Sequence, residues 1–154
     1  MNANIMLKKR GKKRMCGIAG IINFSGVPPD KSLLTKMTNI IEHRGPDGAG
    51  DYFSGGVAFG HRRLSIIDIA GGHQPMTTSD ERVSISYNGE IYNFPELREE
   101  LKSLGYIFNT SSDTEVILQA YHAWGPKSVE RIRGMFAYAI HDKANNEIFI
   151  ARDR

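Results

Sequence analysis

Apolar side chains first recur at helical spacing just after Asp30. They fall at i, i+1, i+4, i+7 and i+8 and continue to about Glu42, which is the spacing of one helix face. Asp30 is a residue type that caps helix N-termini. We therefore predict a helix with Asp30 as its N-cap and with an apolar stripe buried in the core. The predicted stripe consists of Leu33, Leu34, Met37, Ile40 and Ile41.

Two further stretches carry helix signals at both ends. Residues 95–104 start with proline in the first turn, place three leucines on one face and stop at Gly105. Residues 114–124 follow Asp113, which we predict to be the N-cap, and precede a Gly-Pro pair. The sequence therefore predicts a second and a third helix, separated by a short polar segment.

Short apolar or alternating runs fill most of the remaining chain and predict strands. Runs of strands are separated by helices, which favours an α+β fold with helices packed on largely antiparallel sheets over a doubly wound parallel sheet. Glycine-rich and proline-rich loops are predicted over 43–50 and 70–78. The predicted strands cover 16–24, 51–53, 57–61, 64–69, 82–87, 106–108, 135–141 and 147–151.

Composition places the chain among ordinary globular proteins. Its 154 residues are 40% hydrophobic and 24% charged, which suits one domain with a real core. A single cysteine excludes an intramolecular disulfide and is typical of a reducing compartment, so we expect a cytoplasmic protein. No apolar run approaches the roughly 20 residues that span a bilayer, so no membrane partner is predicted.

The positive charge is confined to the start of the chain. Subtracting six charges within residues 8–14 from the net +3 leaves −3 for the rest. A mildly acidic body does not indicate a nucleic-acid partner. We predict that residues 1–15 form a basic extension that is not part of the mature protein, and that 16–154 form the domain. The six charges are Lys8, Lys9, Arg10, Lys12, Lys13 and Arg14.

Cys16 is the first candidate for chemistry because a methionine, Met15, stands directly before it. If translation starts at Met15 and that methionine is removed, Cys16 carries both a thiol and a free α-amino group. An α-amino group is a base suited to neutral pH, a few bonds from the sulfur that it would deprotonate. The alternative is a small packing residue at the start of a core strand.

The histidines do not indicate a metal site. None of them pairs with another histidine or with Cys16 at a metal-ligand spacing, so no metal is predicted. A Cys-His dyad stays open, because its two members need only be close in space. The histidines are His43, His61, His73, His122 and His141.

Three other positions have both a structural and a chemical interpretation. Asn88-Gly89 is a turn signal, but an asparagine NH₂ and the next backbone N–H are also two donors that can form an oxyanion hole. Arg62 and Arg63 are either a solvated strand end or a fork for a carboxylate. Asp113 caps a helix and is also able to receive an ammonium group. Together these groups fit a free amino acid with an attackable side-chain carbonyl, and glutamine is the economical candidate.

Eight motifs follow one another in an order that resembles one family. On them the chain is identified as similar to the class II glutamine amidotransferase domain of glutamine-hydrolysing asparagine synthetases, over residues 15–154. The motifs are Met-Cys-Gly-Ile-Ala-Gly, His-Arg-Gly-Pro-Asp, Arg-Leu-Ser-Ile-Ile-Asp, Gln-Pro-Met, Tyr-Asn-Gly-Glu-Ile-Tyr-Asn, Ser-Asp-Thr-Glu-Val-Ile, Gly-Met-Phe-Ala-Tyr-Ala-Ile and Ala-Arg-Asp-Arg.

The resemblance implies a fold and a role for each site residue. The fold would be the αββα sandwich of N-terminal nucleophile hydrolases, with two antiparallel sheets between helices. Cys16 would be the nucleophile and, through its α-amino group, the base, and Asn88 with Gly89 would form the oxyanion hole. Arg63 would bind the glutamine α-carboxylate. The remaining glutamine-binding positions would be Leu64, Ser65, Ile66 and Ile67 along the pocket wall and Gly89, Glu90 and Asp113 at the α-amino end.

The resemblance also implies partners that this chain does not carry. Glutamate and ammonia would be the products, and no cofactor is expected in this domain. ATP and magnesium would belong to a C-terminal synthetase domain that makes asparagine and that we expect to be absent here, together with the last strands of the sandwich. Two alternatives stay open, namely a glutaminase serving another acceptor, such as a sugar or a peptide, and an inactive truncated fragment.

Overall fold

The computed structural model describes residues 15–64 and 72–154. Within them the chain forms seven strands, three α-helices and one 3₁₀ segment, Gly125–Arg131. The strands are β1 (Gly17–Ile22), β2 (Gly48–Ser54), β3 (Val57–Arg63), β4 (Met76–Thr77), β5 (Val83–Ile91), β6 (Gly134–Asp142) and β7 (Glu147–Arg152). The α-helices are α1 (Lys31–Ile40), α2 (Phe94–Ser103) and α3 (Asp113–Trp124).

The strands form two antiparallel sheets, and this confirms the predicted α+β class. One sheet has the order β1-β3-β2 and the other has the order β4-β5-β6-β7. Hydrogen bonds cross between the sheets from His61 to the Tyr87 carbonyl and from the Tyr52 hydroxyl to His141. Helix α1 packs on the three-stranded sheet, and α2 and α3 pack together with α3 on the four-stranded sheet. The order of layers is therefore αββα, as predicted.

A cluster of buried apolar residues lies between the four-stranded sheet and helices α2 and α3. Successive side chains of a strand point to opposite faces. On β5 the members of this cluster are therefore alternate residues, namely Val83, Ile85, Tyr87 and, beyond Gly89, Ile91. The side chains between them, Ser84 and Ser86, are equally buried but polar, and they face the three-stranded sheet. One strand thus separates an apolar layer from a polar one.

Helix α1 confirms its predicted cap but not its predicted stripe. The Asp30 carboxylate accepts a hydrogen bond from Ser32 N at 2.7 Å. Leu34 is buried at 2% exposure, whereas Leu33 and Ile40 are 48% and 75% exposed, so the prediction that both are core residues is wrong. The helix instead seats Leu34 and Thr38 over Gly60, where a Cβ would collide with the Thr38 side chain.

The prediction of Asp113 as the N-cap of α3 is also wrong. Ser112 is the cap, and its hydroxyl accepts from Thr114 N at 3.1 Å. Asp113 is the first helical residue, and its carboxylate binds groups on β5 instead. The two cap-forming residue types stand side by side, and the tertiary partners of Asp113 decide between them.

Two of the predicted strands are not found in the described residues. Residues 106–108 are irregular, because Tyr106 N closes the end of α2 on Leu101 O at 3.0 Å and the Arg98 guanidinium lies over the Phe108 ring. The predicted strand 64–69 lies outside the described residues except for Leu64, which is not in a strand. The predicted loop 70–78 contains the short strand β4.

Candidate active site

A pocket of about 200 Å³ opens where the ends of β1, β3 and β5 meet the start of α3. It collects every predicted site residue that lies in the described part of the chain. Ser65, Ile66 and Ile67 lie outside the described residues. The predicted residues that line the pocket are Cys16, Arg63, Leu64, Asn88, Gly89, Glu90 and Asp113.

Cys16 directly precedes β1, and its sulfur is held against the end of β3. Leu64 N donates a hydrogen bond to the Cys16 Sγ at 3.2 Å, and the thiol lies 3.6 Å from Leu64 O. Arg44 Nε donates to the Cys16 carbonyl at 3.1 Å. The thiol is thus fixed at the pocket wall and does not pack in a core. None of the described residues lining the pocket is a histidine, so no Cys-His dyad forms there.

Asn88 and Gly89 lie inside β5, opposite Ala137 and Phe136 of β6. They therefore do not form the hairpin turn that was the structural alternative. Because Tyr87 points toward α3, strand alternation turns Asn88 to the opposite face. Gly89 has no room for a side chain, since a Cβ would collide with the Met135 carbonyl. The strand thus brings an amide side chain and a glycine peptide to the pocket.

Asp113 is a buried carboxylate with one oxygen already bound. Its Oδ2 accepts from the Tyr87 hydroxyl at 2.7 Å and from Ile91 N at 3.2 Å. Burial, and then the nearby Asp113 carboxylate, raise the pKa of Tyr87 well above its usual range. Tyr87 therefore remains protonated and acts as a donor to Asp113. The carboxylate is held rigidly at the pocket and is suited to receive a cation.

Arg63 supplies the opposite charge. It is the last residue of β3 and is only 9% exposed, and its carbonyl accepts from Asp47 N at 3.0 Å. A guanidinium presents a fork of donors that matches a carboxylate. A pocket with a largely buried arginine and a largely buried aspartate suits a zwitterionic ligand such as a free amino acid.

Gln74 and His61 are among the residues with polar contacts at this site that were not predicted. The Gln74 side chain accepts from Tyr87 N at 2.6 Å and donates to Thr114 Oγ1 at 3.2 Å. His61 is completely buried, and its Nε2 lies 3.0 Å from Tyr87 O. The available signal for Gln74 was its place in the Gln-Pro-Met motif, to which no role was assigned. His61 offered no sequence signal, because its partner is a backbone group 26 positions away.

Other kinds of site are not seen in the described part of the chain. Residues 15–64 and 72–154 contain no group of three or more histidine, cysteine, aspartate or glutamate side chains arranged to hold a metal ion. Across those same residues, no helix combines the length and the apolar character that a membrane crossing requires.

Comparison with known proteins identifies close sequence relatives. A family model described as a glutamine amidotransferase domain matches residues 15–154. Asparagine synthetase [glutamine-hydrolyzing] 1 of Bacillus subtilis is 45% identical over 142 residues, which is 90% of this chain and 22% of that protein. A putative asparagine synthetase [glutamine-hydrolyzing] of Mycobacterium tuberculosis is 46% identical over 132 residues, which is 79% of this chain and 20% of that protein.

A solved structure shows the same fold at lower sequence identity. The glutamine phosphoribosylpyrophosphate amidotransferase of B. subtilis superposes with a TM-score of 0.70 at 22% identity, covering 88% of this chain and 37% of that one. This likeness agrees with the αββα sandwich. The chain spans only about a fifth of the length of the curated relatives that it matches.

Proposed function

The chain belongs to the glutamine amidotransferase domain family, and from that premise we propose that it hydrolyses L-glutamine to glutamate and ammonia through a thioester on Cys16. The observation that carries the proposal is the single pocket that Cys16 shares with Arg63, Asn88, Gly89 and Asp113. A thiol alone would be weak evidence. A thiol beside one buried cation, one buried anion and a pair of candidate oxyanion donors fits one substrate class.

The charges of the pocket suggest how glutamine binds. The Arg63 guanidinium pairs with the α-carboxylate, and the Asp113 carboxylate accepts from the α-ammonium group. Leu64 and Glu90 complete the wall in the described part of the chain, and Ser65, Ile66 and Ile67 remain predicted wall residues. With its α-carbon held in this way, glutamine extends its side-chain amide toward the Cys16 sulfur.

The reaction then proceeds by acyl transfer. The Cys16 thiol passes its proton to the α-amino group of the same residue, and the sulfur bonds to the amide carbon. Asn88 Nδ2 and Gly89 N donate to the oxygen that becomes negative. The carbon–nitrogen bond breaks, ammonia leaves with the proton, and a water molecule hydrolyses the thioester to glutamate. This base requires a free α-amino group, because with residues 1–15 attached the nitrogen is an amide.

The relatives suggest what consumes the ammonia. The relatives at 45% and 42% identity are named as glutamine-hydrolysing asparagine synthetases, and the matched region is about a fifth of their length. We therefore propose that the ammonia serves asparagine synthesis by a synthetase part outside this chain, where ATP and magnesium would be used, in the cytoplasm. Acceptors of another kind are not favoured by these relatives.

The test is glutamate release by the chain after cleavage behind Met15. We expect turnover from the cleaved chain and none from the uncleaved one, with mass spectrometry verifying that Cys16 is the first residue. Cys16→Ala is the matched control, because alanine keeps the backbone and removes the nucleophile. Hydrolysis by the Cys16→Ala variant, or by a chain that keeps residues 1–15, would contradict the mechanism.

A further inference from the structure

Strand β4 is too short to cover the part of β5 that reaches the pocket. It pairs Met76 with Ile85 and Thr77 with Ser84, and there it ends. Continuing the same register would set residue 74 opposite Tyr87. At that point two side chains take the place of the backbone hydrogen bonds that a longer β4 would make to Tyr87. Gln74 accepts the Tyr87 N–H at 2.6 Å, and His61, which lies on β3 of the other sheet, reaches the Tyr87 carbonyl at 3.0 Å.

The state of His61 is set by its surroundings. Burial lowers its pKa to about 4, so the ring is neutral near pH 7. Because a carbonyl oxygen only accepts, Nε2 carries the hydrogen and donates to Tyr87 O. The other ring nitrogen, Nδ1, is buried without a hydrogen-bond partner among the described residues. Burying a nitrogen without a partner costs free energy. An apolar side chain would fill this space without that cost, so the role of His61 is the one hydrogen bond that it donates to Tyr87 O.

The two bonds act on the backbone immediately before the oxyanion donors. The Tyr87 carbonyl and the Asn88 nitrogen belong to one planar peptide unit, and the Tyr87 N–H belongs to the unit before it. Fixing the N–H through Gln74 and the carbonyl through His61 therefore sets the direction in which the Asn88 side chain leaves the strand. Gly89 follows directly and contributes the second donor.

We propose that His61 and Gln74 are positioning residues, which clamp the Tyr87 peptide groups and thereby aim Asn88 and Gly89 at the oxyanion. The inference rests on the proposed glutamine hydrolysis. His61 and Gln74 are expected to affect the stability of the transition state and not the binding of glutamine, because the oxyanion does not exist in bound glutamine. Ground-state binding is expected to depend instead on Arg63 and Asp113.

The Tyr87 side chain offers a built-in comparison. Its hydroxyl holds Asp113, whereas its peptide groups are held by His61 and Gln74. Tyr87→Phe removes the Asp113 contact and leaves the peptide clamp in place. We expect that variant to raise KM for glutamine with a smaller effect on kcat. The clamp variants should show the opposite split.

The clamp is tested by four substitutions at two positions. His61→Leu and Gln74→Met fill similar space but remove the donor and the acceptor. His61→Gln and Gln74→Glu retain a donor and an acceptor at a similar reach. The matched control is Ser84→Ala, on the same face of β5 as Asn88, which removes a partly buried hydrogen bond of 2.9 Å to Thr77 Oγ1 and leaves the two hydrogen bonds of the Tyr87 peptide groups in place.

The expected result is a loss of turnover without a loss of binding. His61→Leu and Gln74→Met should lower kcat about 10- to 100-fold with KM within about twofold, since small displacements of catalytic donors are costly. His61→Gln and Gln74→Glu should recover most of the loss, and Ser84→Ala should turn over like the parent. If His61→Leu and Gln74→Met match Ser84→Ala, or shift KM and kcat together, the clamp is refuted.

A second readout separates this inference from the proposed function. Glutamate γ-semialdehyde adds the Cys16 thiol to its carbonyl carbon, and the thiol proton moves to the oxygen, which then occupies the oxyanion position. We expect His61→Leu to weaken binding of this aldehyde but not of glutamate. A parent that binds the aldehyde and hydrolyses glutamine while the variants equal it overturns the clamp alone. A folded parent that does neither overturns the proposed function, and the clamp with it.

Discussion

The two faces of β5 carry opposite chemistry within one strand. Val83, Ile85 and Tyr87 join a large apolar cluster against α2 and α3. The residues that alternate with them, Ser84 and Ser86, are just as buried, but they are polar and face the other sheet. The first face buries apolar area, which is the dominant favourable contribution to folding. The second face places hydrogen-bonding groups, and it is this face that continues into the pocket.

This difference separates the residues that mainly affect stability from those that mainly affect catalysis. On the apolar face, side chains without a polar partner, such as Val83 and Ile85, are interchangeable with others of similar volume at modest cost. On the polar face the value of a residue depends on one donor or acceptor and its direction. Substitutions on the first face should change the free energy of unfolding, and substitutions where the second face reaches the pocket, at Asn88, should change kinetic constants.

The largest expected effect is on the apolar side. Leu101→Ala, at a fully buried position of α2, should reduce the free energy of unfolding by about 2–5 kcal/mol. Urea unfolding measures the loss, and the remaining folded protein should keep its KM for glutamine. Leu104→Ala is the control, because Leu104 follows the same helix at 56% exposure and should change stability by less than about 0.5 kcal/mol. Equal losses for the two variants would contradict the assignment of the core.

On the polar side, Asn88→Ala should lower kcat by about 10²–10³, the usual cost of one oxyanion donor. Steady-state kinetics measures it, and stability should change far less than in Leu101→Ala. Arg63→Ala is the kinetic counterpart, since its contact with the carboxylate exists in the ground state and in the transition state and should act mainly on KM. If the two variants exchanged their kinetic signatures, the roles assigned to Asn88 and Arg63 would be wrong.

The polar layer between the two sheets, which includes His61 of β3, should also make the fold sensitive to acid. His61 has a pKa of about 4 in the folded chain, below the ordinary value of 6.5, because burial disfavours its charged form. The unfolded chain therefore binds a proton that the folded chain does not, and stability falls as pH drops from about 6.5 to 4. The loss should approach roughly 3 kcal/mol. Burial lowers the pKa of His141 as well, so it acts in the same direction.

Unfolding of His61→Gln between pH 7 and pH 4 checks this expectation. Glutamine does not titrate, so the variant should lose less stability than the parent over that interval, whatever its stability at pH 7. The contribution of His141 is common to both proteins and cancels in the difference. Parallel pH profiles for the two proteins would show that His61 does not carry the effect.

The smallest effect concerns the outermost strand of the four-stranded sheet. In the described residues β7 pairs only with β6, and Ile150 on it is 67% exposed. An open edge with an exposed apolar residue promotes association between copies. We expect light scattering during heating of this chain, reduced in Ile150→Lys but not in Ile107→Lys, which changes an exposed residue in an irregular segment. A sharp two-state transition from a monodisperse parent would refute the prediction.

The sequence predicted what depends on local spacing and missed what depends on distant partners. The three helices and most strands follow from periodicity, cap residues and turn residues. The exposure of Ile40 does not, because an apolar stripe wider than the contact surface looks the same in sequence as a fully buried one. The same holds for the N-cap of α3. Ser112 and Asp113 are both cap-forming residue types, and Ser112 is the cap because the Asp113 carboxylate binds the Tyr87 hydroxyl and Ile91 N.

The site shows the same division. Cys16, Arg63, Asn88 and Asp113 were predicted from their chemical types and from a family resemblance, and the described pocket brings them together. Gln74 could not be assigned a role from its own sequence neighbourhood, since its partner is a backbone N–H of another strand. A side chain that hydrogen-bonds to the backbone of a catalytic strand cannot be found from sequence in this way, because every residue type at the partner position offers the same backbone groups.

The alternation along β5 also determines where the chain tolerates changes of length. Removing one residue from this strand would turn each following side chain to the other face, so that Asn88 would point at α3 and a core residue at the substrate. Removing two would restore the faces but displace Asn88 by one pleat from Cys16. Insertions and deletions should therefore be accepted at the turns 55–56 and 143–146 and rejected between Val83 and Gly89. The spacing of that segment is as much a part of the active site as the residues in it.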